Sequence, residues 1–174
     1  MQNSPFQYGK LATGMTFVNR VREKQELKNN LYSGINTMLI SPRRWGKSSL
    51  VREAMKELML EHFDVKVCFL DVFTIRSEEE FYQIFAREVI KATSNSWEAW
   101  ITNAKEFLKA LSPKISIGTD PMTDFSIGIE YHRIKENERE LLELPERIAH
   151  SKGMRIIVCI DEFQSLAGLK EYDH

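Results

Sequence analysis

Ten residues constrain this chain more than any others: Ser41-Pro42-Arg43-Arg44-Trp45-Gly46-Lys47-Ser48-Ser49-Leu50. A short apolar run, Thr37 to Ile40, leads into them. An amphipathic stretch follows, with Leu50/Val51, Ala54/Met55 and Leu58/Met59 recurring on one helical face. The spacing predicts a strand over 36–40, a loop, and a helix over about 47–62. A strand-to-helix turn leaves backbone N–H groups unpaired at the helix start. The helix dipole favours an anion there. Gly46 lets the backbone approach such an anion with no side chain in the way.

The residue types after Gly46 suit that anion. Lys47 is a mobile cation that can reach the β- and γ-phosphates of a nucleotide. The Ser48 hydroxyl is a hard oxygen ligand of the kind Mg²⁺ takes. A second feature lies far downstream. The apolar pentad Ile156-Ile157-Val158-Cys159-Ile160 ends in Asp161-Glu162. Asp161 is placed to hold a magnesium ion, directly or through water. Glu162 is placed to polarise an attacking water as general base. Together the two features have the form of a P-loop nucleoside-triphosphatase site, with a Mg²⁺-bound nucleoside triphosphate as cofactor. The candidate catalytic residues are Lys47 and Glu162. The candidate phosphate-loop residues run from Ser41 through Pro42, Arg43, Arg44, Trp45, Gly46, Lys47 and Ser48 to Ser49. The candidate metal ligands are Ser48 and Asp161.

Plainer readings stand beside these. Arg43 and Arg44 could meet phosphates or a partner subunit, or simply be solvated on an exposed turn. Trp45 is expected to pack the loop against the core rather than to stack on a ligand. Ser41 occupies a position where the usual loop pattern has glycine. The loop must therefore be entered with ordinary dihedrals or at some strain.

The loop resembles the "G-P-R-R-x-G-K-[ST]-S-L" loop of the archaeal-type ATPase family, which sits among the AAA-like and signal-transduction ATPases. Phe17-Val18-Asn19-Arg20 followed by Glu23 is similar to that family's "F-x-x-R-x-x-E" entry segment, with Asn19 where the family often has glycine. Ile160-Asp161-Glu162-Phe163-Gln164 is similar to its "D-E-F-Q" ending. The resemblance runs from about Phe17 to Leu166. It implies adenine as the base, with the entry segment near it. Members of that family continue beyond the acidic strand. They add a further strand with a γ-phosphate sensor, an arginine finger and a helical lid. The strand carrying the sensor lies between those bearing the loop and the acidic pair. The chain ends at His174, so the expectation is the N-terminal portion of one such domain, truncated after the acidic strand. Such a portion should bind nucleotide poorly, hydrolyse it negligibly, and associate through strand edges.

Length and composition agree with a globular, cytosolic domain. The 174 residues are 43% hydrophobic and 28% charged, enough for one core. A formal net charge of −1 gives no basic field to indicate nucleic acid. No apolar run approaches the ~20 residues that span a bilayer. Cys68 and Cys159 lie inside apolar runs and read as small core hydrophobes. The four histidines share no metal spacing.

The remaining pattern alternates strand and helix. A helix is expected over 20–32 and a strand over Val65–Val72. Ser77 and Glu80 have capping-box spacing ahead of a helix with Phe81, Ile84, Phe85 and Val89 on one face. Ser96 is placed to cap another, with Trp97, Trp100/Ile101, Ala104, Phe107/Leu108 and Leu111. Residues 114–131 alternate apolar and polar around a turn-rich centre, which predicts an inserted β-hairpin. Its roles stay open between packing and docking of a second copy or another protein. A charged helix from Lys135 should be interrupted or restarted at Pro145 and capped at Gly153. The expected fold is therefore a P-loop parallel sheet with flanking helices and an inserted hairpin.

Overall fold

The computed structural model describes residues 20–42, 45–108, 116–117, 127–128 and 131–169. The chain divides into two compact units, Met1–Val65 and Lys66–His174. Each is described by itself.

The first unit is a helix pair. α1 (Val21–Tyr32) packs on α2 (Lys47–Glu61). Leu50, Ala54 and Leu58 recur every fourth residue along α2 and are buried, with Ser49 and Met55 beside them. Leu27 of α1 is buried as well. Burying a leucine or methionine side chain stabilises by roughly 1.5–3 kcal/mol, so this stripe is what holds so short a pair together. Ion pairs reinforce it. Lys24 meets Glu57, and Lys28 meets both Glu57 and Glu61. At the far end of α2 the His62 ring stacks on Tyr32 at 3.9 Å.

Residues 35–42 do not form the expected strand. No ladder among the described residues includes them. A strand needs a hydrogen-bonded neighbour, and without one the apolar run stays in solvent: Met38 is 75% exposed and Ile40 89%.

The second unit is α/β. β1 (Val65–Asp71), which belongs to this unit but for its first residue, pairs with β4 (Arg155–Asp161) in a two-stranded parallel sheet. Parallel neighbours require a long crossover, and here it carries four helices. α3 (Glu78–Ala92) starts at Ser77, whose Oγ accepts from the Glu80 amide at 3.2 Å. The Glu80 carboxylate reaches back to the Arg76 amide at 2.8 Å, one residue before the usual capping-box partner. α4 (Trp97–Leu108) starts beside Ser96, whose Oγ accepts from the Ala99 amide at 3.2 Å. α5 (Tyr131–Leu142) has a non-helical residue inside it, Asn137. α6 (Leu144–Lys152) restarts the helix with Pro145 in its first turn, where no amide is missed. It ends at Gly153, whose φ of 62° suits a residue without Cβ.

These elements share one core. Cys68, Leu70 and Val72 meet Phe85, Ala86, Val89 and Ile90 of α3. Trp100, Ala104, Phe107 and Leu108 of α4 join them, with Ile134, Leu141, Leu144 and Ile148. The charged end of α6 is tied in by hydrogen bonds. Lys152 donates to Asn103 at 2.7 Å, and Asn103 donates to Ser94 at 2.7 Å.

Between α4 and α5 a short antiparallel ladder joins β2 (Ser116–Ile117) to β3 (Ile127–Gly128). Ser116 pairs with Gly128 and Ile117 with Ile127. Ile115, the turn centre at 119–124, Phe125 and Ile129 lie outside the described residues, as does Leu111. Tyr131, which the alternation assigns to the hairpin, opens α5 instead. Among the described residues no helix is long and apolar enough to cross a membrane.

Candidate functional site

The phosphate-loop half lies in the first unit. Gly46 is the N-cap of α2, with φ 72° and ψ 23°. That is the left-handed region, where a Cβ is strained and glycine is not. A Cβ built on Gly46 would meet nothing within 4 Å among the described residues. The first turn closes through the Leu50 amide donating to the Gly46 carbonyl at 2.9 Å.

The start of α2 contrasts with that of α3. Ser77 caps α3, and Glu78, Glu79 and Glu80 supply negative charge in its first turn. α2 has no side-chain cap and no acidic residue in its first turn, and it begins with a lysine. A cation at a helix N-terminus opposes the dipole. The first turn of α2 itself thus supplies no negative charge to offset the dipole.

Lys47 and Ser48 are half-buried at this helix start, whereas Ser49 is buried on the packed side. Ser41 enters the loop without strain, since Glu162 is the one non-glycine residue with positive φ among those described. Its hydroxyl lies 3.5 Å from the Pro42 carbonyl. Arg43 and Arg44 lie outside the described residues. Trp45 is 66% exposed rather than packed. Its backbone is held from α1's side: the Arg20 guanidinium donates to the Trp45 carbonyl at 3.0 Å. Sequence reading places Arg20 only within the entry segment. No periodicity signals a contact across twenty-five positions.

The acidic half lies in the second unit, at the C-terminal end of the parallel sheet. That end is where α/β sheets collect ligands. β4 is half-buried along most of its length, with Ile157 its buried residue. Asp161 ends the strand and Glu162 turns the chain with φ 56° and ψ 35°. A 3₁₀ turn, Phe163–Gly168, follows. Inside this turn the Glu162 amide donates to the Asp161 carboxylate at 3.0 Å. The Ser165 amide donates to the Glu162 carbonyl at 2.8 Å. Gln164 donates to the Glu162 carboxylate. A carboxylate-bearing residue held at positive φ is a costly arrangement of the kind found at working sites. The sequence names Asp161 and Glu162 but gives no sign of this conformation.

Asp71 ends the neighbouring strand, and its carboxylate accepts from the Phe73 amide at 3.0 Å. Among the described residues no three His, Cys, Asp or Glu side chains gather closely enough to hold a metal alone. Magnesium is commonly held by one or two protein groups with water and phosphate completing its shell, and a serine hydroxyl and an aspartate carboxylate are each oxygen donors of the kind it takes. A separate open depression of about 590 Å³ in the second unit is lined by Phe107, Glu143, Glu146, Arg147, His150 and Ser151. It shares no residue with either half.

Comparison with protein-family models, with curated proteins and with solved structures found no match to this chain.

Proposed function

We propose that the chain is an ATP-binding P-loop ATPase domain of archaeal type, which in its complete form binds and hydrolyses Mg·ATP. The observation that carries this reading is the start of α2. A glycine at φ 72° caps a fifteen-residue helix that opens on Lys47-Ser48 with no acidic residue in its first turn. In this reading the amides at Gly46 to Ser49 and the Lys47 ammonium bind phosphate oxygens. The Ser48 hydroxyl and the Asp161 carboxylate would hold magnesium, which when bound would neutralise charge on the phosphates. Glu162 accepts a proton from the attacking water. The preference for adenine rests on the resemblance alone.

Calorimetric titration of the chain with Mg·ATP and with Mg·GTP tests the reading. Binding of Mg·ATP that Lys47→Ala abolishes is the expected result. The absence of heat with either nucleotide would overturn it.

A second reading is a nucleotide-binding or interaction module without turnover. It is favoured by the acidic turn, where both carboxylates already accept bonds from neighbours. Phosphate-release kinetics separates the two. Turnover that Glu162→Gln removes while binding persists supports the ATPase. Binding without release in the wild type supports the module.

A further inference from the structure

Arg20 stands apart from the ion pairs that join α1 to α2. It is the residue just before α1, and it bonds to the backbone of the loop rather than to an acid on α2. Its Nη1 donates to the Trp45 carbonyl at 3.0 Å, and its Nε lies 3.4 Å from Glu23. Glu23 thus orients the guanidinium while the loop carbonyl takes its other edge.

The consequence follows from peptide geometry. No peptide bond among the described residues is cis. In a trans peptide the C=O and the next residue's N–H point in opposite directions. Fixing the Trp45 carbonyl toward Arg20 therefore fixes the Gly46 N–H away from it, on the opposite side of the peptide plane. Glycine accepts φ of either sign at similar cost. Nothing in Gly46 itself opposes a flip of the 45–46 peptide, which would turn an acceptor to where a donor had been. An anion binds one face of that plane and is repelled by the other. Arg20 supplies a restraint from outside the loop.

We infer that Arg20 is a positioning residue for the phosphate loop: it locks the Trp45–Gly46 peptide so that the Gly46 amide faces the bound anion. This deepens the phosphate-binding reading of Gly46 to Ser49 and rests on it for its ligand. Arg20 has no need to touch the nucleotide. Lysine can make one bond of the same kind, whereas methionine can make none.

The test uses the full chain with ¹⁵N labelling, and wild type is compared with Arg20→Met and Arg20→Lys. The first readout is the Gly46 amide resonance without ligand. It should move or broaden in Arg20→Met and return toward wild type in Arg20→Lys. Unchanged far-UV circular dichroism shows that the helices persist. The second readout is affinity for Mg·ATP and for tripolyphosphate. Both should weaken about tenfold in Arg20→Met, a loss of about 1.4 kcal/mol, and recover in Arg20→Lys. An unmoved Gly46 resonance in Arg20→Met overturns the inference. So does a moved resonance with unchanged affinity for both probes. If wild type binds neither probe, the nucleotide reading falls, while a Gly46 shift rescued by lysine still upholds the peptide lock. If Arg20→Met loses its helices, Arg20→Leu replaces it under the same criteria.

Discussion

The Val72 amide donates to the Asp161 carbonyl at 3.2 Å, just past the end of β1 and at the last residue of β4. That bond fixes where the parallel pairing stops. Beyond it the chain must turn, and Glu162 turns it at φ 56°. The acidic pair is thus placed by the end of the sheet, and its second member is held in a conformation that L-residues resist.

Glu162 should therefore be retained for its side chain and not for its backbone. The left-handed region costs a residue with Cβ roughly 1–2 kcal/mol. Glu162→Gly is expected to keep or raise stability, and Glu162→Val to lower it below wild type, because a β-branched residue tolerates positive φ least. Urea denaturation of the three proteins checks this. A Glu162→Gly protein less stable than Glu162→Val would show that the turn's hydrogen bonds, and not the dihedral, decide the cost.

The helix pair of the first unit should weaken in acid. Glu57 has its pKa lowered from 4.5, chiefly by the bond from Lys24, against desolvation and with help from Lys28. A carboxylate lowered on folding contributes stability that is present above 4.5 and lost as pH falls through its folded value. Lys28 shifts upward from 10.5: desolvation opposes this, but the bonds to Glu61 and Glu57 outweigh it. Its contribution is full below 10.5 and is lost as pH rises further. Stability measured across pH should therefore fall at both ends. Glu57→Gln should flatten the acid limb below about pH 4.5. An unchanged acid limb in that variant would assign the transition to other carboxylates.

Much of this fold is legible in the sequence because its signals are local. Ser77 and Ser96 announce their helices through capping, Pro145 and Gly153 bracket α6, and the α2 stripe repeats every fourth residue. The run from Thr37 to Ile40 is misread for a physical reason. Apolar β-branched residues favour a strand, but a strand also needs a partner, and partnership is not a local property. The site divides the same way. Gly46 before a helix and Asp161 after an apolar pentad can be read from residue type and spacing. The bond from Arg20 to the Trp45 carbonyl and the positive φ of Glu162 cannot. Both depend on where distant chain segments meet or on how a turn closes.

Cys68 should be inert in the native protein. Burial pushes its thiol up to about 12 from 9.0, with Glu88 and Cys159 adding to the effect. At pH 8 the native thiolate fraction is negligible, and an aromatic disulfide reagent should leave Cys68 unlabelled until urea opens the core. The same shift gives a stability term. The unfolded thiol ionises above about 9 while the native one stays neutral, so stability should fall between pH 9.0 and about 12. Cys68→Ala should remove that part of the alkaline loss. Rapid native labelling of Cys68 at pH 8 would mean that β1 opens locally without global unfolding.

The stretch before the loop should drive self-association. Ile35, Met38 and Ile40 are 53%, 75% and 89% exposed, in a segment whose backbone joins no ladder among the described residues. Unpaired backbone beside exposed apolar side chains is a template for pairing with another chain, and a second copy supplies an identical segment. Light scattering over a concentration series should show mass rising with concentration in the wild type. Met38→Lys with Ile40→Lys should suppress the rise, since like charges would then face each other wherever two copies meet through this segment. The double variant removes no buried contact, so its stability should stay within about 0.5 kcal/mol of wild type at each position. A wild type that remains monomeric throughout, or a double variant that associates equally, would place the associating surface elsewhere. A double variant that loses stability by several kcal/mol would show instead that the segment is packed in solution.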